Sequence, residues 1–257
     1  MNLHFTKLGN GEPILIVHGL FGSSDNWRTL GKKFSENNTV YLIDLRNHGR
    51  SAHSDEMNYE IMAEDLMNLI IKENIILPTL LGHSMGGKAA LMFVKKFPDI
   101  LSKLIVADIG IKSYPMHHDL ILEGLNSIDL NKINSRSEAQ KKIAVHIEEV
   151  GVQQFLLKNL YWVEKGQLAW RMNLNIIEKN IHEILIKINI DKNFTKTLFL
   201  RGGLSKYILL EDFEEIQNKF PNGEIKTIEN VGHWLHAENP LEFYRLCLLY
   251  TSDAADD

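Results

Sequence analysis

An α/β domain built on a mostly parallel, doubly wound sheet, with a helical cap inserted between two late strands, is the fold predicted by three features of this 257-residue sequence. Short runs of Ile, Leu and Val recur along the chain without in/out alternation, as strands covered on both faces require. Longer segments with helical spacing separate them. One stretch of about eighty residues then shows no strand pattern at all, and a structureless loop of that length is foreign to a compact domain.

The strand-like runs lie at 13–17 (PILIV), 40–44 (VYLID), 79–82 (TLLG), 104–107 (LIVA), 197–200 (TLFL) and 224–228 (EIKTI). Helical patterns fill 59–73, 85–97 and 209–220; in the first, Ile61, Leu66, Leu69 and Ile70 share one face. The segment without strands holds helical patterns at 138–149 and 176–188. The expected organisation is a discontinuous core of residues 1–110 and 190–246, with 111–189 as a helical cap over the sheet. The string 247–257, CLLYTSDAADD, resembles a translated sequencing-library adapter. It reads as a non-native tail, expected to make few contacts.

Composition narrows the class. Hydrophobic residues at 44% and charged residues at 24% are those of an ordinary globular protein. The net charge of -5, with no basic run, argues against nucleic acid as a partner. No apolar run approaches the ~18 residues of a membrane span. The start lacks a signal-peptide pattern and the one cysteine, Cys247, excludes an internal disulfide, so a cytoplasmic location is expected. Nothing in the composition bears on oligomeric state.

The sharpest motif is G-H-S-M-G at 82–86, directly after a strand and opening a helix. By composition alone G-x-S-x-G arises in roughly one chain in ten of this size, so its setting carries the weight. A serine at such a turn is exposed above the sheet edge, at a helix N-terminus that favours negative charge. Ser84 is therefore the expected nucleophile. Acyl transfer also needs donors for an oxyanion. One is the N–H of Met85, after the nucleophile; the other comes from H-G-L-F-G-S at 18–23, with Leu20 preferred and Phe21 the alternative. Phe21 is equally a candidate pocket wall, and His18 a structural tie for that loop.

The base comes late in the chain. His233, after a glycine and a strand, is preferred to His236. His48, His53, His83, His117 and His118 are misplaced for a base, although His117 or His118 could line a cap pocket. The acid is less obvious, because the loop G-G-L-S-K-Y at 202–207 holds no carboxylate, and Glu211 and Asp212 fall inside the next helix. Asp108 ends the strand before the cap, where a side chain points into the ligand crevice, and is the expected partner of His233. Asp44 and Arg46, in D-L-R-N-H-G-R-S at 44–51, read as parts of a tight structural loop.

Taken in order, VHGLFGSSDNW, DLRNHGRS, GHSMGGKAA, VADIG and GHWLHAENP, with W-R-x-N at 170–173, resemble the α/β-hydrolase-fold serine esterases that include bacterial YbfF and its mitochondrial relatives. The resemblance spans residues 13–240. It implies hydrolysis of short or medium acyl esters or of acyl thioesters such as acyl-CoA, a carboxylate at Asp108, and no metal or cofactor. Trp162 and Trp170 are the expected aromatic residues facing the pocket from the cap. Two other readings share the fold: a lyase of the menaquinone pathway, and a small-molecule receptor that retains the site. Turnover of a p-nitrophenyl ester in seconds rather than hours separates an esterase from a receptor.

Overall fold

The structure is a computed structural model that describes residues 1–251. The core begins with β1 (Phe5–Leu8) and β2 (Glu12–Val17), a 3-10 turn over Ser24–Trp27 and α1 (Arg28–Phe34). There follow β3 (Asn38–Ile43), α2 (Tyr59–Lys72), β4 (Thr79–His83), α3 (Met85–Lys96) and β5 (Lys103–Ala107). Asn58 starts α2 by accepting the Ile61 N–H at 3.0 Å, satisfying one of the donors a helix start leaves open. The inserted segment contains α4 (Asp119–Asn126), α5 (Arg136–Ile143), α6 (Val150–Leu157), β6 (Leu160–Glu164), β7 (Gln167–Trp170), α7 (Leu174–Lys179) and α8 (Ile181–Leu185). The core resumes with β8 (Thr197–Gly202), α9 (Phe213–Lys219) and β9 (Gly223–Ile228), and ends in α10 (Leu235–Glu238) and α11 (Pro240–Thr251).

Among the described residues the main sheet has the order β1-β3-β2-β4-β5-β8-β9. All pairings are parallel except that of β1 with β3. Successive residues of the central strands feed two hydrophobic clusters, one on each face: Leu15 and Val17 against Ile14 and Ile16, Leu104 and Val106 against Ile105 and Ala107. That double burial is the reason these strands carry unbroken apolar runs.

The cap joins β5 to β8, where the sequence predicts it, but it is not wholly helical. β6 and β7 pair antiparallel as a separate two-stranded hairpin, turned at Gly166, whose φ is +90°. Trp162 and Val163 are exposed and Tyr161 is half-buried, so the short run Leu160–Val163 is not the doubly covered kind that marks a strand of the main sheet. The expected helix 138–149 stops at Ile143, and 176–188 divides at Asn180 into α7 and α8. The cap's Leu125, Ile143, Leu156 and Ile177 join the cluster on one face of the sheet.

Both ends of the insertion are held by buried side chains of the core. Lys88, on α3 and fully buried, donates to the carbonyl of Lys112 at 2.7 Å and to that of Ile186. Burial lowers its pKa to about 7. Tyr59 on α2 donates to Ile184 O at 2.7 Å. Tyr114 hydroxyl accepts the Gly110 N–H at 2.7 Å and donates to Tyr207 O at 2.8 Å.

The end of the chain departs from expectation. Cys247 is buried in a core cluster and Tyr250 packs against that cluster, because residues 247–251 continue α11 rather than hanging free. Lys103 Nζ also donates to Thr251 O at 2.9 Å. The expectation of few contacts therefore fails for these residues; its remainder, residues 252–257, lies outside the described residues.

Candidate active site

Ser84 sits between β4 and α3 with φ +53° and ψ -119°, a region that non-glycine residues rarely adopt. The turn closes because its neighbours lack side chains: a Cβ on Gly82 would meet Gly86 O at 2.2 Å, and one on Gly86 would meet His18 O at 2.5 Å. Ser84 Oγ lies 3.0 Å from His233 Nε2, and His233 Nδ1 lies 2.8 Å from Asp108 Oδ2. Asp108 is fully buried. Its Oδ1 accepts the Gly202 N–H at 2.9 Å, and its Oδ2 also accepts the Ser205 hydroxyl. Three donors thus hold this carboxylate as an acceptor and impose the His233 tautomer with hydrogen on Nδ1, leaving Nε2 free to take a proton from Ser84.

The loop at 202–207 lacks a carboxylate and instead holds Asp108. It supplies Gly202 N–H and Ser205 to Asp108, and Tyr207, whose ring stacks on His233 at 3.9 Å between centroids. The sequence reading did not single out Ser205; its one signal was a hydroxyl in a loop where a carboxylate was sought.

Behind His233, His83 Nε2–H donates to His233 O at 2.9 Å, and His236 stacks on Trp27 at 4.3 Å. His236 is therefore a packed core residue. His18 donates from Nδ1 to Gly19 O at 2.8 Å and accepts the Leu45 N–H on Nε2 at 3.0 Å, which ties the loop down. Asp44 accepts the N–H groups of Ser24 at 2.6 Å and Arg50 at 2.9 Å, and Arg46 pairs with Asp65 at 2.7 Å, in line with their structural reading.

Burial holds four of these imidazoles neutral: His48 and His236 are lowered to about 3, and His18 and His83 are lowered also. Their folded pKa values lie below the unfolded value near 6.5, so the unfolded chain binds more protons as pH drops. Their contribution is full above about pH 6.5 and is lost as pH falls below it, for His48 and His236 down toward 3. Each group should remove up to about 1.4 kcal/mol of stability per pH unit in that window. Urea unfolding at pH 7.5 and 5.5 should show the loss; equal stability at both would refute it.

A cavity of about 610 Å³ opens beside Ser84. Leu20 and Phe21 line it from the core, and Ile121, Val152, Phe155 and Leu156 from the cap. His117 and His118 line it as well. Trp162 and Trp170 do not. Trp162 is 45% exposed on the hairpin, and Trp170 is half-buried against the core cluster. Trp234, next to His233, and Trp27 are the indoles that do line it.

Leu20 lies in the loop beside Ser84, and Met85 directly follows it at the start of α3. A Cβ on Gly19 would stand 3.2 Å from Ser84 Cβ, so the peptide leading into Leu20 abuts the serine. Phe21 N–H, the alternative, is already given to His48 Nε2 at 3.3 Å. A polarised hydroxyl, a base with a fixed tautomer and N–H donors beside an apolar cavity can together perform acyl transfer.

Comparison with known proteins agrees with this chemistry. The profile of the alpha/beta hydrolase fold family matches residues 12–131. Esterase YbfF of Escherichia coli (strain K12) is 34% identical over 245 residues, covering 95% of this chain and 94% of that protein. The sn-1-specific diacylglycerol lipase ABHD11 of Danio rerio is 35% identical over 248 residues, 93% of this chain and 78% of the relative. A solved structure of a marine microorganism esterase superposes with a TM-score of 0.94 at 41% identity, covering 97% and 99% of the two chains. On these matches the chain belongs to the α/β-hydrolase family and is an enzyme of its esterase and lipase group.

Proposed function

We propose that this enzyme hydrolyses carboxylic esters, and acyl thioesters of the acyl-CoA type, of short to medium chain length through an acyl-enzyme on Ser84. The observation that carries the reading is the continuous chain Ser84 Oγ, His233, Asp108, with links of 3.0 and 2.8 Å. Ser84 Oγ attacks the carbonyl carbon while its proton passes to His233 Nε2. Leu20 and Met85 N–H groups face the oxyanion. Asp108 stabilises the imidazolium, which then protonates the departing alcohol or thiol. Water, deprotonated by His233, attacks the acyl-serine and releases the carboxylic acid. The aliphatic and aromatic walls of the cavity favour a hydrocarbon acyl group over a charged one.

A fluorophosphonate probe should label one residue, and peptide mapping should place it at Ser84. A panel of p-nitrophenyl esters and acyl-CoAs then ranks chain length and leaving group. Turnover of the activated esters in seconds is expected. Folded protein that takes no label at Ser84, or labels there without turning over any ester, would overturn the proposal.

A further inference from the structure

Two motifs remain outside the chemistry so far: D-L-R-N-H-G-R-S at 44–51 and W-R-x-N at 170–173. They meet at the oxyanion loop. Gly22 N–H donates to Gly19 O at 3.0 Å, closing a turn centred on Leu20 and Phe21. Phe21 has φ +58°, a turn position usually left to glycine. Both polar groups of Phe21 are fixed from opposite sides. Its N–H goes to His48 Nε2 in the core, and its carbonyl accepts from Asn159 Nδ2 of the cap at 2.7 Å. His48 is oriented in turn, donating from Nδ1 to Arg46 O at 2.9 Å.

The two anchors are joined. Arg171 N–H donates to Asn159 O at 2.8 Å, and Asn173 N–H donates to Asn47 O at 2.9 Å. Asn173 Nδ2 also donates to Asn47 Oδ1 at 3.3 Å. Asn159 is 4% exposed and spends its second amide hydrogen on Leu156 O at 3.1 Å. The chain of contacts thus runs from Phe21 through His48, Asn47, Asn173, Arg171 and Asn159 back to Phe21. It encircles the Phe21 peptide, next to Leu20 in the loop that approaches Ser84 at Gly19.

We propose that Asn159 is a positioning residue for the oxyanion site: it holds the strained Phe21 peptide from the cap side, so that Leu20 N–H points at the reacting carbonyl only while the cap is seated. The inference rests on the ester-hydrolase reading of the site. The cap is then a part of the rate-determining geometry as well as a wall of the cavity.

The test uses the full chain, with Asn159→Ala, Asn159→Asp and, as a control elsewhere in the cap, Asn126→Ala. Rates are expressed per Ser84 titrated by the fluorophosphonate. Deleting an oxyanion donor costs about 10²–10³ in kcat, so misdirecting one should cost about 10- to 100-fold. KM should stay within about threefold, because the effect is confined to the transition state. The inhibition constant of a trifluoromethyl ketone should rise by the factor that kcat loses. That inhibitor adds Ser84 Oγ to its carbonyl carbon, sends the serine proton to His233 and so creates the oxyanion. The pH profile of kcat should keep its shape, and Asn126→Ala should match wild type.

Wild-type kcat per titrated site, or an unchanged ketone constant, in either Asn159 variant would overturn the proposal. Should neither variant fold, Asn173→Ala carries the test from the outer link, with an expected loss of about threefold in kcat and in ketone affinity; no change in both would overturn it. Failure of the underlying reading is distinct, since Ser84 would then take no label and Ser84→Ala would remain active.

Discussion

Ser84→Ala should cut kcat on an activated ester by about 10⁶, the scale of nucleophile removal in serine hydrolases, while leaving the fold in place. The two halves of that expectation have separate causes. Alanine keeps the Cβ, so the strain at φ +53° is the same in both proteins. The one side-chain hydrogen bond lost is that to His233 Nε2, a net contribution of about 1 kcal/mol. The melting temperature should therefore move by no more than about 4 °C. A variant that keeps a few per cent of kcat would remove Ser84 from the mechanism.

Asp108→Asn should lower kcat by about 10³–10⁴ with substrate binding little changed. The buried carboxylate accepts on both oxygens, from Gly202 N–H, Ser205 and His233. An asparagine retains one acceptor. If its oxygen meets Gly202 N–H, its amide hydrogens face His233 Nδ1. They then select the tautomer with hydrogen on Nε2, which cannot take the proton of Ser84. If the amide is flipped, it opposes Gly202 N–H instead, at a cost of about 1–3 kcal/mol in stability. Glu211→Gln and Asp212→Asn should change kcat by less than about threefold. Asp212 is engaged with Lys112 at 2.6 Å and with Leu209 N–H at 2.7 Å, away from the base. Stopped-flow or steady-state rates on one p-nitrophenyl ester decide the matter; a loss under tenfold for Asp108→Asn would move the role to another group.

How far the sequence could be read followed burial. Strands β2 to β5 and β8 were legible because both faces are covered, which leaves an apolar run with no other use. The edge strand β1 was not: Phe5–Leu8 has Thr6 and Lys7 in its middle and pairs on one side. The cap hairpin was missed because β6 and β7 pair only with each other, as a separate two-stranded sheet. Ser84 and Asp108 could be singled out because each directly follows a strand, where a parallel sheet gathers ligand-facing side chains, and His233 because its loop follows the last strand. Ser205 and Asn159 stand on loops, and their partners Asp108 and Phe21 are 97 and 138 residues away. No local spacing encodes such contacts.

The buried ties at the base of the cap bear on how the enzyme can be recombined. Asp108 is followed within six residues by Lys112 and Tyr114, whose polar groups are fixed by Lys88 and Tyr207; on the return, Ile184 and Ile186 are fixed by Tyr59 and Lys88. A chimera that takes its cap from another scaffold should cross over after Tyr114 and before Ile184, which keeps both sets of ties with the parent. Crossing at Asp108 itself would hand its own connection, and the placement of the carbonyls that accept from Lys88, to a foreign backbone. The boundary of the exchangeable module therefore lies inside the insertion rather than at its ends.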